Sequence, residues 1–197
     1  MSKRVLQFFF LALLAATMQA QTAKIDPALM AKANAGDAAA QVALGESYVA
    51  QAADLHNVAQ AGEACKLAAE WFAKAADKGD VRGQLHLAAL YRDGCKGFAR
   101  DMQQAAAWYR KAAEQGDVSA QGMLGLLYTL GQGVPHSDVE AYYWLDLAAA
   151  AEGPKQAQYA TNRQRIGARI TAEELADVEE RVAKWQAAHP RGVAAQY

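Results

Sequence analysis

Apolar and small residues return every three or four positions along most of this chain, the spacing that puts side chains on one face of a helix. The pattern is clearest when counted from three Gly-Asp pairs, Gly36-Asp37, Gly79-Asp80 and Gly116-Asp117. Four residues after each Asp comes glutamine (Gln41, Gln84, Gln121), and seven after comes leucine (Leu44, Leu87, Leu124). Eight after comes a small residue (Gly45, Ala88, Gly125), and eleven after comes tyrosine (Tyr48, Tyr91, Tyr128). Offsets of four, seven, eight and eleven share one helical face. The Asp suits a helix N-cap, and the Gly before it suits the left-handed residue that ends the preceding helix.

A second helix precedes or follows each of these. It carries Trp71, Trp108 or Trp144, with Ala68, Ala105 or Ala141 three residues earlier and the pairs Ala75-Ala76, Ala112-Ala113 or Ala148-Ala149 after it. Small residues at these places let helices approach closely, while Trp and Tyr fill the remaining volume. Residues 71–91, WFAKAADKGDVRGQLHLAALY, therefore return 37 positions later as WYRKAAEQGDVSAQGMLGLLY at 108–128. Between the two helices of a unit lies a glycine loop, clear as GQGVPHSD at 131–138 and degenerate as DGCKGFARD at 93–101. A helix hairpin with so wide an apolar face cannot bury it alone, whereas stacked neighbours can. The reading is an all-α protein, an α/α solenoid.

The ends differ. Asp26-Pro27 opens a single capping helix within 21–35, three full units occupy 36–78, 79–115 and 116–152, and a degenerate unit covers 153–188. In that last unit Gly153 and Gln158 hold the expected Gly and Gln places, while Thr161 and Arg165 stand where Leu and Tyr are due, as in a cap that meets water. Thr171 and Glu174 form a capping box for a final helix ending near Ala188, and residues 189–197 read as a disordered tail.

The spacing GD..AQ..LG..Y, then G.GV, then A..WY.KAA, resembles the Sel1-like repeat, a relative of the tetratricopeptide repeat, from about Asp26 to Trp185. The resemblance implies a non-enzymatic scaffold whose partner, a protein or peptide, lies on a concave surface lined by the first helix of each unit. On those helices the positions two, six, nine and thirteen after Asp form a face that varies between copies. It reads Ala39, Ala43, Glu46, Ala50, then Arg82, His86, Ala89, Asp93, then Ser119, Met123, Leu126, Leu130. Stacking does not dictate positions that vary, so Arg82, His86, Asp93, Met123, Leu126 and Leu130 are the candidate binding residues. The alternative for the last three is that they pack against the capping unit.

Composition alters this picture at the N-terminus. Lys3 and Arg4 precede the apolar run VLQFFFLALLAATMQA, which has the form of a signal peptide cut near Ala20. The run is shorter than the roughly 20 residues that a membrane span needs. Its removal leaves 18 basic and 21 acidic residues, a formal charge of −3. A periplasmic or secreted, monomeric protein is expected, with no membrane span in the mature chain. The near balance of charge gives no electrostatic footprint for nucleic acid.

Export bears on the two cysteines. Cys65 lies 15 residues before Asp80 and Cys95 lies 15 after it, so an antiparallel hairpin that turns there brings them side by side. Outside the cytoplasm such a pair persists as a disulfide; two buried free thiols are the alternative. The four histidines (His56, His86, His136, His189) are scattered, and no metal set, HExxH, GxSxG, SxxK or phosphate loop is present. No cofactor and no catalytic residue are assigned. Two further readings stay open: a small binding module for peptides or cell-wall fragments, and, through cysteine-rich relatives, a penicillin-binding or β-lactam hydrolase-like protein. The cluster Tyr142-Tyr143-Trp144 is a conceivable ligand platform, with Trp144 assigned to the core and Tyr142 the most exposed.

Overall fold

The computed structural model describes residues 25–190. The expected leader, residues 1–20, lies outside them, as does the expected tail apart from His189 and Pro190. Helices run through α1 Pro27–Asn34, α2 Ala38–Asp54, α3 Val58–Ala76, α4 Val81–Asp93, α5 Met102–Glu114, α6 Val118–Leu130, α7 Asp138–Ala149, α8 Gln156–Gly167 and α9 Ala172–Ala188. Each helix from α1 to α7 packs on the next, α2 also meets α4, and α9 folds back on α7 rather than on α8. This is the α/α stack that the periodicity predicts. The sole β feature among the described residues is the isolated bridge between Cys95 and Phe98.

Each Gly-Asp pair works as one device. Gly36, Gly79 and Gly116 take positive φ of 94°, 85° and 91°, conformations cheap only for glycine. The following Asp amide then returns to a carbonyl of the helix just ended, from Asp37 to Lys32, Asp80 to Ala75 and Asp117 to Ala112. The same Asp accepts the amide of Ala40, Gly83 or Ala120 at the start of the next helix. One dipeptide thus satisfies groups at two helix ends that would otherwise lack partners.

The repeated glutamine clips neighbouring helices. Gln41, Gln84 and Gln121 are buried, and their side-chain amides donate to the carbonyls of Ala33, Ala76 and Ala113 at 3.0, 3.3 and 3.2 Å. In the fourth unit the donor is Gln156, which reaches Ala149 at 3.4 Å, and not the expected Gln158. The register is therefore shifted by two residues from the one the Gly153 alignment implies. The Leu place falls to Tyr159, which is buried, and Thr161 and Arg165 are exposed. The fourth unit keeps more core than its sequence suggests, with Ile166 fully buried as well.

The core runs through the stack in two adjoining parts, one over α1–α4 and one from α4 to α9, with Tyr91 and Trp108 packed against both. Trp71 and Trp144 are buried as expected, whereas Trp108 is only half-buried. Lys74 and Lys111 lie over the rings of Trp71 and Trp108 at 3.5 and 3.6 Å, so each indole meets an ammonium one helical turn on. Cys65 on α3 and Cys95 after α4 form a disulfide with Cα atoms 6.6 Å apart. It fastens the degenerate loop to α3, where Gly62 and Gly97 approach so closely that a Cβ on Gly62 would lie 2.8 Å from the Gly97 carbonyl oxygen.

Candidate partner-binding face

The first helices, α2, α4, α6 and α8, stand side by side and leave two hollows between them. The larger, about 410 Å³, lies between α4, α6 and α8. Leu85, Met123, Leu126 and the Tyr159 ring supply its apolar wall, and Lys155, Gln158 and Asn162 line its α8 side. The second, about 380 Å³, lies between α2 and α4. Val49, Ala50, Leu90 and Phe72 form its floor, with Glu46 and Asp93 at the rim. His86 and Ala89 belong to both hollows, which makes one continuous groove across the face.

Backbone chemistry explains why the face is open. The packing positions of each first helix point into the core, so the intervening positions have no helix above them. Gly122 deepens the larger hollow: a Cβ there would sit 2.8 Å from the Tyr159 hydroxyl and closer still to the ring, so only glycine admits Tyr159 of α8 against α6. Burial pushes the Tyr159 phenol pKa up, with Asp117 adding to the rise and a Ser119 hydrogen bond opposing it.

His86 sits at the junction. Its ring stacks on Phe72, with centroids 5.0 Å apart, and its Nε2 lies 3.0 Å from Glu46 Oε1. Arg92 lines the groove further along α4 and donates to both Asp93 oxygens at 2.7 and 2.6 Å and to the Tyr109 hydroxyl at 3.0 Å. Those hydrogen bonds hold the Asp93 carboxyl below the usual carboxylate range and raise the Arg92 guanidinium. Burial pushes the Tyr109 phenol up.

Of the six candidate residues, the groove gathers four: His86, Asp93, Met123 and Leu126. Arg82 is half-buried outside both hollows, and Leu130 lies beyond them at the end of α6, 55% exposed. Met123 is half-buried, packs against the core and still reaches the groove, while Leu126 is 37% exposed. Sequence reasoning missed Val49 and Arg92, which stand twelve residues after Asp, and Phe72, which comes from a second helix. It missed Tyr159 and Lys155 because the fourth unit's register was misplaced. Tyr142, expected to be exposed, is half-buried against Gly167 of α8, where a Cβ would lie 2.8 Å from its ring. His136 is exposed and contacts Asp138 and Arg169, while His189 stacks on Trp185 with ring centroids 4.1 Å apart.

Among the described residues no group of three or more His, Cys, Asp or Glu side chains could hold a metal ion, and no helix is long and apolar enough to cross a membrane.

The architecture defines an α/α repeat protein with a groove along its first helices. A Sel1 repeat profile matches residues 65–80, 81–117 and 118–152. A Sel1 repeat protein from Oxalobacter formigenes is 36% identical over 66% of this chain and 93% of its own, with a TM-score of 0.54. A protective antigen of uropathogenic Escherichia coli strains, with the SLR fold, is 30% identical over 80% of this chain, with a TM-score of 0.56. This chain spans 39% of that protein's length. Comparison with curated proteins finds no match. The chain belongs to the Sel1 repeat family, whose members typically serve as protein-interaction scaffolds.

Proposed function

We propose that this protein is an exported, non-enzymatic scaffold of the cell envelope that holds a protein or peptide partner on its first-helix face. One observation carries the reading. Of the four large apolar side chains left exposed among the described residues, Val49, Leu126 and Leu130 stand on first helices, and the first two line the groove. Stacking alone would have left such positions polar, since exposed apolar surface gathered on one face marks an interaction site. Export is supported by the basic and apolar start of the chain and by the Cys65–Cys95 disulfide, a bond that persists in oxidising compartments. The description of the E. coli relative as a protective antigen accords with placement outside the cytoplasm.

The test is photo-crosslinking in a Gram-negative host, from position 126 in the groove and from the exposed Lys66 on α3. The expected result is a discrete adduct from 126 and none from 66, on a mature chain that begins near residue 21 by N-terminal sequencing. Equal labelling from both positions, or none from 126 on a folded exported protein, overturns the assignment of the face. A cytoplasmic chain that retains residues 1–20 overturns export.

A further inference from the structure

The groove has two unlike ends, and this asymmetry names its ligand. At the α2–α4 hollow the rim carries Glu46 and Asp93. Asp93 is matched by Arg92, so Glu46, touched by the His86 ring, is the rim carboxylate with no Lys or Arg paired to it among the described residues. At the other end Lys155 lines the larger hollow, and no acidic side chain pairs with it among the described residues. A negative end and a positive end thus flank two apolar floors.

The polar groups between them choose between an extended and a helical ligand. Gln158 and Asn162 line the larger hollow with side-chain amides, the Asn162 oxygen also accepting from Arg165 at 3.2 Å. Each amide both donates and accepts, so it suits a backbone whose N–H and C=O groups are free. An extended chain offers those groups, and a helix has already used them on itself. An extended chain rises about 3.3 Å per residue, so one short segment spans both hollows and can place one apolar side chain in each.

Building on the proposed scaffold role, we infer that the groove takes an extended peptide with two large apolar residues, one for each hollow, flanked by a basic residue at the α2 end and an acidic residue at the α8 end. The Phe72–Leu90 floor receives one anchor and the Met123–Leu126 wall the other. Glu46 meets the basic residue and Lys155 the acidic one. The apolar anchors hold the peptide, and the two charges set its direction, since exposed pairs add little affinity of their own.

The experiment selects phage-displayed random 12-residue peptides on the full chain. The selected consensus is then measured as a synthetic fluorescent peptide against wild type, Leu126→Asp and Lys155→Glu, with Lys66→Glu as a distant control and far-UV circular dichroism to confirm folding. The expected consensus is basic, apolar, a short variable spacer of fixed length, apolar and acidic, read in one of the two chain directions. Leu126→Asp is expected to weaken binding by more than tenfold. Lys155→Glu is expected to weaken it roughly threefold to fivefold, as fits an exposed pair, and to regain it when the peptide's acidic residue becomes Lys. If Leu126→Asp binds as wild type does, or no peptide is selected, the face itself is misassigned and the scaffold reading falls with it. If Leu126→Asp abolishes binding while Lys155→Glu changes nothing, or the consensus has no ordered charges, the face stands and the polarity inference is wrong.

Discussion

Replacing Gly122 by alanine sets two effects of opposite sign against each other. In the interior of α6, alanine should gain about 1 kcal/mol over glycine from helix propensity. Here the new methyl meets the ring of Tyr159, whose hydroxyl would lie 2.8 Å away. The ring is the far end of a side chain with two rotatable bonds, but it is buried. Forcing extra volume into such a site costs about 1–3 kcal/mol, and this cost counts on top of the propensity gain. Because α8 ends the stack and can yield a little, the net expectation is a loss of about 1 kcal/mol. For a chain of this length that lowers Tm by about 2–4 °C. The decisive variant adds Tyr159→Leu, which puts leucine back at the place it holds in the other three units. Without the ring, Gly122→Ala should stabilise by up to about 1 kcal/mol, so the coupling between the two sites is about 2 kcal/mol, within the range for touching residues. Thermal unfolding followed by circular dichroism on the four proteins measures it. Equal shifts from Gly122→Ala in both backgrounds would refute the claim that this glycine exists to admit Tyr159.

Reduction of the Cys65–Cys95 disulfide, or Cys95→Ala, frees a loop of separation 30 and should cost about 3–4 kcal/mol; coincident urea midpoints with and without reductant would contradict this. Gly133→Ala should cost roughly 2–4 kcal/mol, since φ there is 72° and the methyl would collide with the Met102 carbonyl of the preceding unit; an unchanged Tm would sink that expectation. Asp93 has a folded pKa below its ordinary value, so its contribution is present above the unfolded carboxylate range and is lost as pH falls through the lower folded value. Asp93 is exposed, so the effect is below about 1 kcal/mol, and Asp93→Asn should flatten the fall in Tm on the acid side of about pH 4; parallel pH profiles would argue against it.

The stack was legible in the sequence because its rules are local. A Gly-Asp pair ends one helix and caps the next through backbone groups within six residues, so three copies announce three junctions. The Gln, Leu and Tyr offsets follow from helical pitch alone. The mirror placement of Cys65 and Cys95 about Asp80 follows from the hairpin, and the structure joins them. The candidate face was half legible: position-by-position variation picked out His86, Asp93, Met123 and Leu126, which the structure places along the groove.

What the sequence left undetermined depends on contacts between distant residues. The fourth unit lacks the Gly-Asp junction, so no local signal set its register, and packing decided that Gln156 and not Gln158 clips Ala149. That choice carried Tyr159 into the core and Lys155 to the groove's edge. Phe72 reached the groove because His86 stacks on it from the neighbouring helix. Arg92 was claimed by Asp93 and Tyr109, whereas Lys155 and Glu46 have no oppositely charged Lys, Arg, Asp or Glu partner among the described residues. Helix pitch and chain turns are properties of a few consecutive residues, and the sequence states them. Which charge is spent and which stays open is settled between side chains far apart in the chain, and only the assembled stack brings those together.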